Sequence, residues 1–121
     1  MTPAIDIIVR NYVDTGTPCV IEGDGILPSL LARPGLRERA ERGLLRAVLL
    51  FEPDEEVILG NIVARARHDL GRTMDGLRTE ARAKWLYGQT LRAEAAQYGV
   101  AVVESRPWTT LADRILETTV A

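Results

Sequence analysis

Apolar residues recur at helical spacing in the first stretch of the chain, at Ile5, Ile8, Val9, Tyr12 and Val13. Thr2 before Pro3 is a helix-start pair and Gly16 a stop, so a helix is predicted over this stretch. The period then changes. Pro18-Cys19-Val20-Ile21-Glu22-Gly23 is a short apolar, β-branched run that predicts a strand buried on both faces. Asp24 to Pro28 reads as a turn, Ser29 to Ala32 as a short helical piece ended by Arg33-Pro34-Gly35, and Arg37 to Arg42 as an exposed helical turn.

Arg46 to Phe51 predicts a second buried strand, and Glu52-Pro53-Asp54-Glu55-Glu56 places acids over the positive end of a following helix with Val57, Ile58, Ile62, Ala66 and Leu70 along one side and Gly71 as its stop. A long helix runs from Leu77 through Ala81, Trp85, Leu91, Ala95 and Tyr98 to Gly99, weakened in its middle by Gly88. Val100 to Glu104 predicts a third strand, and Thr110 to Thr118 a closing helix. Strands alternating with helices imply right-handed crossovers. The expected architecture is therefore α/β: one domain over residues 1–121, three-layered, with a mostly parallel sheet of about three strands and helices on both faces.

Composition narrows the function classes. A chain of 121 residues with 46% hydrophobic content suits one globular domain that buries about two-thirds of its unfolded surface. No apolar run approaches the roughly 20 residues of a membrane span, and the first residues lack a signal-peptide pattern, so a cytoplasmic protein is expected. A net charge of -2, with acids interleaved among the arginines, argues against a nucleic-acid binder. One cysteine, Cys19, and one histidine, His68, offer neither a disulfide nor a zinc site.

Ligands of open α/β sheets sit at the carboxyl ends of the strands, which directs attention to Glu22-Gly23-Asp24, Glu52-Pro53-Asp54 and Glu104-Ser105-Arg106-Pro107. An acid there can hold magnesium or accept a proton, and Gly23 and Gly25 would admit a close ligand. Glu52 and Asp54 are equally ordinary helix-start residues.

Val20-Ile21-Glu22-Gly23-Asp24-Gly25-Ile26-Leu27-Pro28, Val48-Leu49-Leu50-Phe51, an arginine-bearing helix and connection, and Val102-Val103-Glu104-Ser105-Arg106-Pro107-Trp108 with a closing helix together resemble the C-terminal part of small-molecule P-loop kinases, the AAA-type and nucleoside-kinase-like members. The resemblance spans nearly the whole chain and rests on short motifs. It implies ATP and magnesium as cofactors and a small-molecule phosphoryl acceptor. On it Asp24 would be the catalytic base and Glu22 a metal-side group, while Arg72, Arg65 and Arg67 would clamp transferring phosphates. Arg106 and Pro107 would flank adenine, with Trp108 behind it. Each has a plainer reading: Arg65 and Arg67 suit a helix C-terminus, and Trp108 suits a core anchor.

One departure from that family is large. A phosphate loop needs a glycine, four residues, then Gly-Lys-Ser/Thr between a strand and a helix. These residues contain no Gly-Lys pair, and Lys84, the only lysine, lies between Ala83 and Trp85 in a predicted helix. The expectation is a chain inactive alone: truncated, degenerate, or one half of a split enzyme. In the family the phosphate-loop strand lies between those matching Val20-Ile21 and Val48-Leu49-Leu50, so the sheet would be left with open edges. A homo-oligomer or a partner chain that completes it is expected. The alternative is a non-catalytic α/β module serving interaction or structure.

Overall fold

The computed structural model describes residues 2–66, 69 and 71–120. Helix α1 (Thr2–Asp14) opens the chain and is closed by Gly16 in the left-handed conformation, φ 66°, where Thr17 N donates to Tyr12 O at 3.0 Å. A 3₁₀ turn (Pro28–Ala32) leads through Arg33 into α2 (Pro34–Glu41), which has proline at its first position. Strand β1 (Val48–Phe51), α3 (Glu55–Ala66), α4 (Met74–Tyr98), β2 (Ala101–Glu104) and α5 (Leu111–Val120) follow. Thr73 caps α4 by accepting from Gly76 N at 3.1 Å, and Gly99, φ 70°, ends it.

The chain is thus mixed α/β, with five α-helices and a two-stranded parallel sheet among the described residues. Val48 pairs with Ala101 and Phe51 with Glu104, and α3 and α4 form the crossover between the strands. The expected sheet of about three strands is corrected to two. Pro18–Gly23 forms no strand, and Val20 is 94% exposed. Apolar β-branched residues favour a strand only where an adjacent edge accepts their backbone hydrogen bonds and a core covers their side chains, and this segment has neither.

Two apolar clusters hold part of the core, and Phe51, Leu91, Ala95, Val100 and Val103 are buried outside both. Leu59 and Ile62 of α3 meet Leu77 and Ala81 of α4. Val9 of α1, Leu30 of the 3₁₀ turn and Leu36 of α2 form the other, with Ile5, Val13, Ile26 and Leu45 around them. Leu36, just before the segment Arg37 to Arg42, is fully buried. The 3₁₀ turn packs on α4, and both α4 and α5 pack against β1 and β2. Gly88, the weak point expected in α4, faces the ring of Phe51: a Cβ there would stand 3.6 Å from the ring carbon Cε2.

Ion pairs fasten α1 to the segment after it. Buried Asp6 accepts from Arg10 Nε at 2.8 Å and from Arg33 Nε. Arg39 of α2 grips Asp14 with two bonds, Nε to Oδ1 at 2.9 Å and Nη2 to Oδ2 at 2.7 Å. The Arg33 hydrogen bond, chiefly, holds the Asp6 carboxyl below its ordinary value of 3.8 against the opposing effect of its desolvation, and the Arg39 bond does the same for Asp14. A carboxyl with a depressed folded-state pKa stabilises the fold above its unfolded value, and that contribution is lost as the pH falls through the folded value. Thermal stability is therefore expected to hold at neutral pH and to fall below about pH 4. The decline should be shallower in Asp6→Asn, followed by circular dichroism, and parallel pH profiles for the two proteins would exclude Asp6 as its source.

Candidate functional site: the cleft at the strand ends

The parallel register places the ends of β1 and β2 side by side, so the loops leaving them share one edge of the sheet. Ser105 N donates to Phe51 O at 2.9 Å and extends the ladder by one step, which buries Ser105. Beyond it, Arg106 forks onto Glu52: Nε lies 2.9 Å from Oε2 and Nη2 2.7 Å from Oε1. Two parallel N–H donors on one carboxylate make the strongest common geometry for such a pair. Glu52 is the more covered partner, its side chain 13% exposed against 46% for Arg106. The carboxylate holds the Arg106 guanidinium above its ordinary pKa.

Neighbouring groups fix these loops. Asp54 caps α3 by accepting from Glu56 N at 2.9 Å, which is the ordinary helix-start role. Arg114 of α5 donates to Glu104 O at 2.5 Å, to Pro107 O at 2.8 Å and to Thr110 Oγ1 at 3.0 Å, bracing the loop across the cis Arg106–Pro107 bond. On the β1 side Trp85 Nε1 of α4 donates to Pro53 O at 2.9 Å, and the Arg82 guanidinium lies 4.9 Å from the centre of the Trp85 ring.

Between the loops lies an open cleft of about 530 Å³ lined by Glu52, Pro53, Glu104, Arg106, Pro107, Trp108 and Thr109. Trp108 is 63% exposed, so it is not a core anchor. An indole left in water beside proline rings is a surface on which a planar ring can stack, and carboxylates and a guanidinium rim it.

Of the residues expected at a site, the structure brings Arg106, Pro107 and Trp108 together in this cleft. Glu22 and Asp24 are exposed in the loop after α1 and do not line it; Tyr87 Oη of α4 donates to the Asp24 carbonyl at 3.1 Å. Arg72 is paired with Glu80 of α4 and lies 4.0 Å from Asp69. That pair is the main cause of the depressed Glu80 pKa, and Lys84 Nζ adds to it from 3.4 Å. Arg65 is exposed on the last turn of α3, and Arg67 lies outside the described residues, as does Leu70. Among the described residues no group of three His, Cys, Asp or Glu side chains is placed to hold a metal ion, and no helix is long and apolar enough to cross a membrane.

The sequence reading passed over Arg114 and treated Trp85 as a residue of a helix face. An arginine one turn into a helix that follows a proline-bearing loop is a weak signal for such a brace, and nothing local distinguishes it from a solvated arginine.

The comparisons add no family to this geometry. No protein-family model, no curated protein and no solved structure matches the chain.

Proposed function

We propose that the chain is the acceptor, lid and adenine-side portion of an ATP-dependent small-molecule kinase-like protein, inactive by itself. The observation that carries this reading is the exposed Trp108 beside Pro107 in a cleft at the carboxyl ends of two parallel strands. The cleft suits a purine ring, with Arg114 and the Glu52–Arg106 pair holding its walls. Nothing in it suits a triphosphate, since backbone amides and a lysine arranged around phosphates are missing from these residues. Magnesium takes one or two carboxylates beside a nucleotide's phosphates, and in the cleft the carboxylates that would meet it are Glu104 and Glu52, the latter already paired with Arg106. On this reading Asp24 remains the candidate base, and Arg65, Arg67 and Arg72 the candidate phosphate clamp, of an assembled protein; Arg72 would first have to leave Glu80.

A non-catalytic α/β module is the second reading. It is favoured by the ion pairs themselves: Arg106 with Glu52 and Arg72 with Glu80 leave these charges partnered within the chain.

Titration of the chain with adenosine and with ATP, followed by backbone amide shifts, separates the two. The kinase-part reading expects shifts confined to the 104–109 loop, similar weak affinity for both ligands, and dissociation constants above about 10 μM, roughly -7 kcal/mol. Trp108→Ala should weaken binding about tenfold or more, as loss of one stacking surface worth about 1–3 kcal/mol does. Absence of any shift with either ligand would leave the module reading standing, and ATP bound far more tightly than adenosine would place a phosphate site elsewhere in the chain.

A further inference from the structure

Most of the hydrogen-bonding groups around the cleft at the strand ends are taken up by its own walls. The Pro53 carbonyl accepts from Trp85 Nε1, the Glu104 carbonyl from Arg114 Nη1, the Pro107 carbonyl from Arg114 Nη2 and the Trp108 carbonyl from Leu111 N. The Glu52 carboxylate is held by Nε and Nη2 of Arg106. Among the described residues, the lining side-chain groups left without a partner are the Glu104 carboxylate, the Thr109 hydroxyl, the Trp108 indole N–H and Nη1 of Arg106.

These groups differ in what they offer a ligand. A guanidinium and an indole only donate, and a hydroxyl turns either way, so Glu104 is the one strong acceptor left open. Its charge faces the cleft's guanidinium: the pKa of Arg106 is raised chiefly by the Glu52 bond, and further by the charges of Asp54 and Glu104. A carboxylate set against a ring edge that carries only acceptors brings lone pairs together and loses its water without a replacement. Against an edge that carries an N–H it gains a charge-assisted bond.

We propose that Glu104 selects the base: the cleft takes a purine whose edge carries an N–H donor, and the Glu104 carboxylate accepts from it while the ring lies on Trp108. This assignment rests on the purine reading of the cleft and adds the edge chemistry the ring must have. Two bases share that chemistry. Adenine offers its exocyclic amino group, flanked by ring nitrogens that only accept. Guanine offers a ring N–H and an amino group side by side, which match both oxygens of one carboxylate.

Titration of the intact chain with purine riboside, adenosine and guanosine, followed by backbone amide shifts, tests the assignment. Purine riboside has the ring and sugar of adenosine without the amino group. The tighter binding of adenosine and guanosine names the base, and it is expected to bind about tenfold more tightly than purine riboside, as one hydrogen bond to a charged group allows. In Glu104→Ala that difference should vanish, through weaker binding of the amino-bearing nucleoside with purine riboside unchanged. Glu104→Gln, which keeps the shape and an acceptor oxygen without the charge, should fall between the two. Glu104 is exposed, so both variants should unfold at the temperature of the unaltered chain. Equal affinities for the three nucleosides, or differences that survive Glu104→Ala, would overturn the assignment and leave a stacking cleft that reads no base. An absence of shifts with all three would remove the purine reading itself, and the assignment with it.

Discussion

Replacing Phe51 by alanine is expected to destabilise the chain by about 3–5 kcal/mol, the range for removing a buried aromatic ring. Phe51 is 4% exposed and is the last residue of β1. Its ring is seated over Gly88 of α4, with the Arg92 guanidinium 5.3 Å from its centre. Because Gly88 has no side chain, nothing on that part of α4 can swing into the space a lost ring leaves, so the cavity contribution should be near its upper range. Small domains hold only about 5–15 kcal/mol in total, and such a loss is a large share of it. The effect should reach the cleft as well, since the Phe51 carbonyl accepts the Ser105 N–H that brings the two strand-end loops together. Urea unfolding checks it: the midpoint should fall with little change of slope. A loss under about 1 kcal/mol would mean that Phe51 is not packed on α4 as described.

Leu36→Ala is expected to cost about 2–5 kcal/mol, and to act on the other half of the molecule. Leu36 is the one large side chain wholly removed from water among the described residues, and it joins Val9 of α1 to Leu30 of the 3₁₀ turn. The second cluster, between α3 and α4, shares none of these residues. Amide exchange should therefore accelerate first in α1 and α2 while α3 and α4 keep their protection, as independent opening units do. Uniform acceleration along the chain would show instead that the two clusters open as one cooperative body.

What the sequence determined by itself is what depends on near neighbours. The helix over Thr2–Asp14 and the stops at Gly16 and Gly99 follow from bonds made within four or five residues, together with residues that tolerate the conformations these ends need, whereas the long helix begins at Met74, three residues before the Leu77 start that its apolar spacing predicts, because Thr73 caps it. The two paired strands were also legible, as apolar runs between turn residues, and with them the position of the cleft at their carboxyl ends. The tertiary structure alone decided which apolar runs became strands. Val20-Ile21 and Val48-Leu49-Leu50 have much the same composition, but only the second lies beside another strand, since a ladder's hydrogen bonds come from a neighbour that the run itself cannot specify. The same holds for the cleft's chemistry. Arg106, expected to flank a base, forks onto Glu52, which lies 54 residues away in sequence, and Trp85 bonds to Pro53 across a separation of 32. Charge and hydrogen-bond partners are chosen by distance in space, and that distance was set only once α3 and α4 had carried the chain from the end of β1 back to β2.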